Sequence, residues 1–197
     1  MSPILQSRAN ASAIGYGAFS VAAAAGDFES IATVTVGSGG AANVEFTSIP
    51  ATFTHLQIRG ISRSTRSATG DYIALQFNSD TGSNYAYHGF QGTGSSATAF
   101  GFATQTFVDI ERAAGANATA SVFGASIIDI LDYANTNKYK TVRCLGGIDN
   151  NGSGDILFNS GLWQNTNAVT TITLKTQAGS SNLAQYSHFA LYGIRSA

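Results

Sequence analysis

From residue 28 onward the chain alternates. Short runs place an apolar side chain at every second position, are rich in Val, Ile, Thr, Tyr and Phe, and stop at clusters of Gly, Asn, Ser and Asp. Ser30-Ile31-Ala32-Thr33-Val34-Thr35-Val36 ends in Gly37-Ser38-Gly39-Gly40. Runs at 43–46, 54–61, 71–77, 85–90, 105–110, 121–133, 139–148, 156–163, 170–175 and 187–194 repeat the pattern. Period two is the strand period, and no segment holds a 3.6-residue period with caps over ten residues. Pro3 and Pro50 both fall outside strand centres, as a ladder of backbone N–H groups requires. The pattern predicts an all-β fold of about ten strands in two packed antiparallel sheets, a jelly-roll-like sandwich. The length of 197 residues suits one such domain.

Residues 1–26 read differently. They are rich in Ala, Ser and Gly, with isolated Ile4, Leu5, Tyr16 and Phe19 and no sustained period. A linker has no use for spaced aromatics, so this segment is expected to be an extended attachment arm that orders on a partner, with the sandwich at 27–197. Its apolar stretch is broken by Gly15, Gly17 and Ser20, which reads against a secretory leader.

Charge narrows the function. Only 11% of residues are charged and the formal net charge is −1, so nucleic acid and anionic membrane are not expected partners. No apolar run approaches the roughly 20 residues of a spanning helix. Polarity comes instead from 22 Ser, 20 Thr and 13 Asn, which suggests either a chain that covers much of its surface with partners or an all-β chain rich in Ser and Thr. The single cysteine, Cys144, shares a face with Val142 and reads as a small buried hydrophobe.

Candidate chemistry is sparse. No G-x-S-x-G elbow, P-loop or H-E-x-x-H occurs. Asp149, Asn151, Ser153 and Gly154 match the opening of a calcium loop, but the twelfth position is Ser160 rather than a bidentate Glu, so a hairpin turn is expected. His55, His88 and His188 lie on separate runs and read as structural. Among the acids, Glu45 is expected to face solvent, Glu111 to pair with Arg112 on the surface, and Asp129 to face solvent or an interface. No catalytic pair, metal site or cofactor is expected. Arg59, Arg63 and Arg66 form the one basic cluster, read as part of a subunit interface. Tyr72, Tyr85, Tyr87, His88 and Phe90 crowd a short stretch. Such aromatics serve a core, an interface or, on an outer sheet face, a sugar platform. Arg59, Arg63, Tyr85, Tyr87 and His88 are therefore the candidate interface or glycan face.

Several stretches together resemble a family of tailed-bacteriophage virion proteins. They are Phe28 to Val36 with the glycines that follow, and Phe46-Thr47-Ser48-Ile49-Pro50-Ala51-Thr52-Phe53-Thr54-His55-Leu56-Gln57-Ile58-Arg59. Asn78 to His88, Gly161-Leu162-Trp163, Ile172-Thr173-Leu174 and Ser187 to Ile194 complete the set. Ser12 to Gly17 resembles the attachment arms of such proteins. The resemblance implies a β-sandwich on the particle exterior and no enzyme. The expectation is a virion structural protein, a capsid decoration or head fibre, anchored by its arm to other capsid or tail proteins and assembled as a homo-oligomer, a trimer by analogy. The alternative is a tail fibre or receptor-binding module that takes a host surface glycan.

Overall fold

The computed structural model describes residues 27–177 and 179–195. They form twelve strands and no helix: β1 Phe28–Thr35, β2 Asn43–Phe46, β3 His55–Ser62, β4 Gly70–Phe77, β5 Tyr85–Gly92, β6 Ala97–Gln105, β7 Val108–Ala114, β8 Gly124–Leu131, β9 Lys140–Asp149, β10 Gly154–Trp163, β11 Ile172–Thr176 and β12 His188–Ile194. One antiparallel sheet has eight strands in the order β1-β12-β3-β8-β9-β10-β5-β6, and the other has four in the order β2-β11-β4-β7.

Setting the hairpins β5–β6 and β9–β10 aside, the chain switches sheets at every step except from β4 to β7, which are neighbours in the small sheet. The orders β1-β12-β3-β8 and β2-β11-β4-β7 then pair the first strand with the last and the second with the next to last. That is the double Greek key of a jelly roll. The two extra hairpins both join the large sheet beyond β8, so it runs four strands past the jelly-roll frame.

The alternation does what the sequence implies. Val44 and Phe46, Leu56 and Ile58, Ile128 and Ile130, and Val142 and Cys144 point inward and merge into one core. Trp163 closes its far end, stacked on Tyr85 at 6.3 Å between centroids and 5.4 Å from Phe77. β4 and β7 are buried along almost their whole length. The run at 105–110 is not a strand, however. β6 ends at Gln105 and β7 begins at Val108, with the turn between them. β6 escaped the pattern because Ala, Thr, Gly and Phe alternate in it without a polar face.

β7 lies unusually close to the large sheet. A Cβ on Gly124 would stand 2.1 Å from the Arg112 carbonyl oxygen, and one on Gly161 would stand 2.5 Å from Val108 Cγ1. These glycines are required by space, since neither has a left-handed backbone. Gly124→Ala is expected to lower stability by about 2 kcal/mol in chemical denaturation. Gly39→Ala, with nothing within 4 Å of the added methyl, should leave the midpoint unchanged.

Candidate functional site

Between the sheets, β7 brings two acids into the core. Glu111 is fully buried and accepts hydrogen bonds from Ser62 Oγ at 2.5 Å and Ser126 Oγ at 2.9 Å, on β3 and β8. Burial pushes its carboxyl above the usual range, although both hydroxyls oppose this. The expected surface pair with Arg112 is therefore wrong. Arg112 instead bonds Asp155 at 3.0 Å and lies 4.3 Å over the Tyr72 ring. Gln91 closes that ring of contacts, donating to Asp155 and accepting from Tyr72 Oη. The reading rested on the arginine that follows Glu111; the fold instead buries β7 along almost its whole length, on both parities.

Asp109 accepts from Tyr87 Oη at 2.8 Å and from Gln177 Nε2 at 3.1 Å. Its Oδ1 is buried with no hydrogen-bond partner among the described residues. Burial raises its pKa to about 6, against the opposing pull of Tyr87 and Arg112. Tyr85 and Tyr87 are thus core residues, 0% and 3% exposed, and not an outer face. Tyr85 Oη accepts from the Phe77 amide at 3.0 Å, and burial raises both phenols. In period two their neighbours Ala86 and His88 take the other face, so the parity of the whole aromatic run decided which rings went in.

The basic cluster is dispersed. Arg63 donates to the carbonyls of Ala116, Ala118, Thr119 and Val122 and so clamps a loop. Arg66 pairs with the buried Asp71 at 3.3 Å. Arg59 stays on the outer surface, 5.4 Å from the Phe28 ring centroid and 5.8 Å from that of Tyr192. His88 is exposed, opposite Ser160 and Gly101. Ile4, Leu5, Tyr16 and Phe19 lie outside the described residues.

The loop after Asp149 spends its oxygens on the turn. Asp149 Oδ1 accepts from the Asn151 amide at 2.9 Å, and Asn150 Oδ1 accepts from the Thr119 amide at 2.7 Å. Asn151 and Gly152 take the left-handed backbone a tight hairpin needs. Among the described residues no three His, Cys, Asp or Glu side chains are grouped to hold a metal ion. Cys144 is buried, which raises its thiol pKa. Asp80, also a loop acid, is bonded by Trp163 Nε1, Asn84 and the Gly82 amide. Burial raises its pKa, but these bonds outweigh burial and hold it below the usual range.

What the structure assembles is an outer face. The registers of the large sheet align Arg59, Ile127, Leu145, Phe158 and Phe90 across β3, β8, β9, β10 and β5. The next row on the same face is Ile61, Ala125, Gly147, Ile156 and Gly92. On the other side lies a polar row of Gln57, Asp129, Arg143, Ser160 and His88. Asp129 accepts from Gln57 at 2.8 Å and Arg143 donates to Ser160. Six large apolar side chains in the first two rows are 41% to 55% exposed: Ile61, Ile127, Leu145, Ile156, Phe158 and Phe90. Together they expose roughly 500 Å² of apolar surface, at about 200 Å² for each full side chain. A cleft of about 740 Å³ runs beside them, floored by Gly146 and Gly147 and rimmed by residues 152–156. One signal for this band stood in the sequence. Ile127-Ile128 and Ile156-Leu157-Phe158 are apolar at both parities, which a half-buried strand does not need.

Comparisons with protein-family models, with curated proteins and with solved structures find no match to the chain.

Asp109 generates a pH prediction. Its folded pKa of about 6 exceeds the ordinary 3.8, so the folded state binds its proton more tightly than the unfolded chain. Its contribution is greatest below pH about 4, declines as pH rises to about 6, and levels off above. Thermal unfolding of the chain should therefore show a midpoint that falls across this window. In Asp109→Asn that fall is expected to be visibly smaller.

Proposed function

We propose that this chain is a structural, non-enzymatic protein of the exterior of a tailed-bacteriophage particle, docked on a capsid protein as a decoration or head fibre. The apolar band on the outer face of the large sheet carries the reading. A contiguous apolar patch of this size matches the largest one on a typical monomer, and such a patch often marks a binding surface. Its area is close to the apolar share of a standard interface, about 800 Å² per partner at roughly 60% apolar. The polar row beside it supplies the hydrogen-bonding rim that such interfaces carry.

The jelly roll adds weak support. It recurs in viral capsid proteins and in lectins, and a fold alone does not choose between them. The surface chemistry favours protein over sugar. The phenols that would bond a sugar are turned inward at Tyr85 and Tyr87, while the outer rings are Phe90 and Phe158, flanked by Ile and Leu. Residues 1–26 fit this reading as a second anchor, with Ile4, Leu5, Tyr16 and Phe19 as the buried contacts.

Particles from a lysate encoding the chain provide the test, by peptide mass spectrometry and by counting copies in cryo-electron microscopy. Many copies on the capsid lattice are expected. A few copies at the tail tip would replace this reading with receptor binding, and absence from particles would remove it. Supplied in trans, Leu145→Lys/Phe158→Lys should be lost from particles while its unfolding free energy stays within about 0.5 kcal/mol per site, because both side chains are exposed. A chain lacking residues 2–26 should unfold cooperatively yet fail to incorporate.

A further inference from the structure

A sheet edge left open presents unpaired backbone N–H and C=O groups, and proteins guard such edges with charge, proline or shortness. Four strands end the two sheets: β1, β6, β2 and β7. Three are guarded. β1 carries Glu29, β2 has four residues and carries Glu45, and β7 carries Asp109, Glu111 and Arg112. β6 is nine residues long, has neither a charge nor a proline, and pairs only with β5 among the described strands. All its residues but Phe100 and Gln105 are exposed.

Its residues Thr98 to Thr104 read the same in both directions. Around Gly101, Phe100 mirrors Phe102, Ala99 mirrors Ala103, and Thr98 mirrors Thr104. We infer that β6 is the contact between two copies of this chain, paired antiparallel with itself about a two-fold axis at Gly101. An isologous contact sets residue i against j and j against i whatever the sequence, and the palindrome adds that like residues meet, Phe with Phe and Ala with Ala. In this register Ala99 faces Ala103 of the second copy, Thr98 faces Thr104, and Phe100 faces Phe102.

The side chains suit the pairing. Phe102 is opposite Tyr87 across the β5 ladder and Phe100 is opposite Gly89, so both rings take the inner side of the sheet. Phe102 is 48% exposed there, at the end of the sheet beyond the jelly-roll frame. Two copies would bring four phenylalanines together as two cross-strand aromatic pairs. The left-handed backbone of Thr104, at φ 54°, ends the regular strand, so the symmetric ladder runs from Ala99 to Ala103. So short a contact predicts a weak, concentration-dependent dimer. This contact is separate from the apolar band and does not depend on the proposed function.

Sedimentation and light scattering of the purified full chain over a concentration series provide the test. A monomer–dimer equilibrium is expected. Ala99→Lys/Ala103→Lys sets lysine against lysine twice across the axis and should weaken the dimer on the order of tenfold. Ala99→Lys/Ala103→Glu sets lysine against glutamate at the same positions and should restore it. Leu145→Lys should leave it intact. Hydrogen exchange of the unsubstituted chain adds a readout free of folding artefacts, with slower exchange across Ala99–Ala103 as concentration rises. A chain that is monomeric throughout, a trimer, a dimer indifferent to the lysine pair, or one that the charge reversal fails to restore would each overturn the inference.

Discussion

Because Gly124 and Gly161 carry no side chain, β7 lies directly on the large sheet, and this close contact joins the two layers. Into that contact β7 carries Asp109 and Glu111, two acids that desolvation disfavours as anions. Each is held by side chains of the large sheet: Tyr87 for one, Ser62 and Ser126 for the other. Such contacts are directional where apolar packing is not. A one-residue slip of β7 would leave a buried carboxyl without donors, so these bonds specify register as much as they stabilise.

The low charge content acquires a physical sense from the same economy. Several of the few ionic side chains work inside the fold as clamps. Lys140 is buried and donates to the carbonyls of Asn135, Lys138 and Thr166, filling its three donor positions. Arg63 serves four carbonyls, and Arg66 neutralises the buried Asp71. With those charges spent internally, the apolar band on the outer face of the large sheet is left to Ile, Leu, Phe, Ala and Gly, with Arg59 at one end. That face and the uncharged edge at β6 are where the molecule differs from a well-guarded monomer.

Much of the fold was legible. Alternation located nearly every strand, and it put Cys144 beside Val142 on a buried face, as the structure has it. It failed at β6, whose alternation lacks a polar face, and at β7, which is buried on both parities. The candidate site was legible only in part. His88 and Arg59 do lie on the outer face, Tyr85 and Tyr87 are core residues, and Arg63 reaches the carbonyls of a loop. Period two says which residues share a face. It does not say which of the two faces is covered, because that depends on a second sheet distant in sequence.

The sequence by itself determined an all-β chain, its division into short alternating strands and the palindrome around Gly101, since each is a local property of neighbouring residues. Only the tertiary structure decided that Leu145, Phe158 and Phe90 align in one exposed row, and that Glu111 is buried. Alignment across strands depends on ladder register, and burial depends on which strand lies opposite. Both are set by pairings between residues as far apart as Phe28 and Ile194, which no local pattern records.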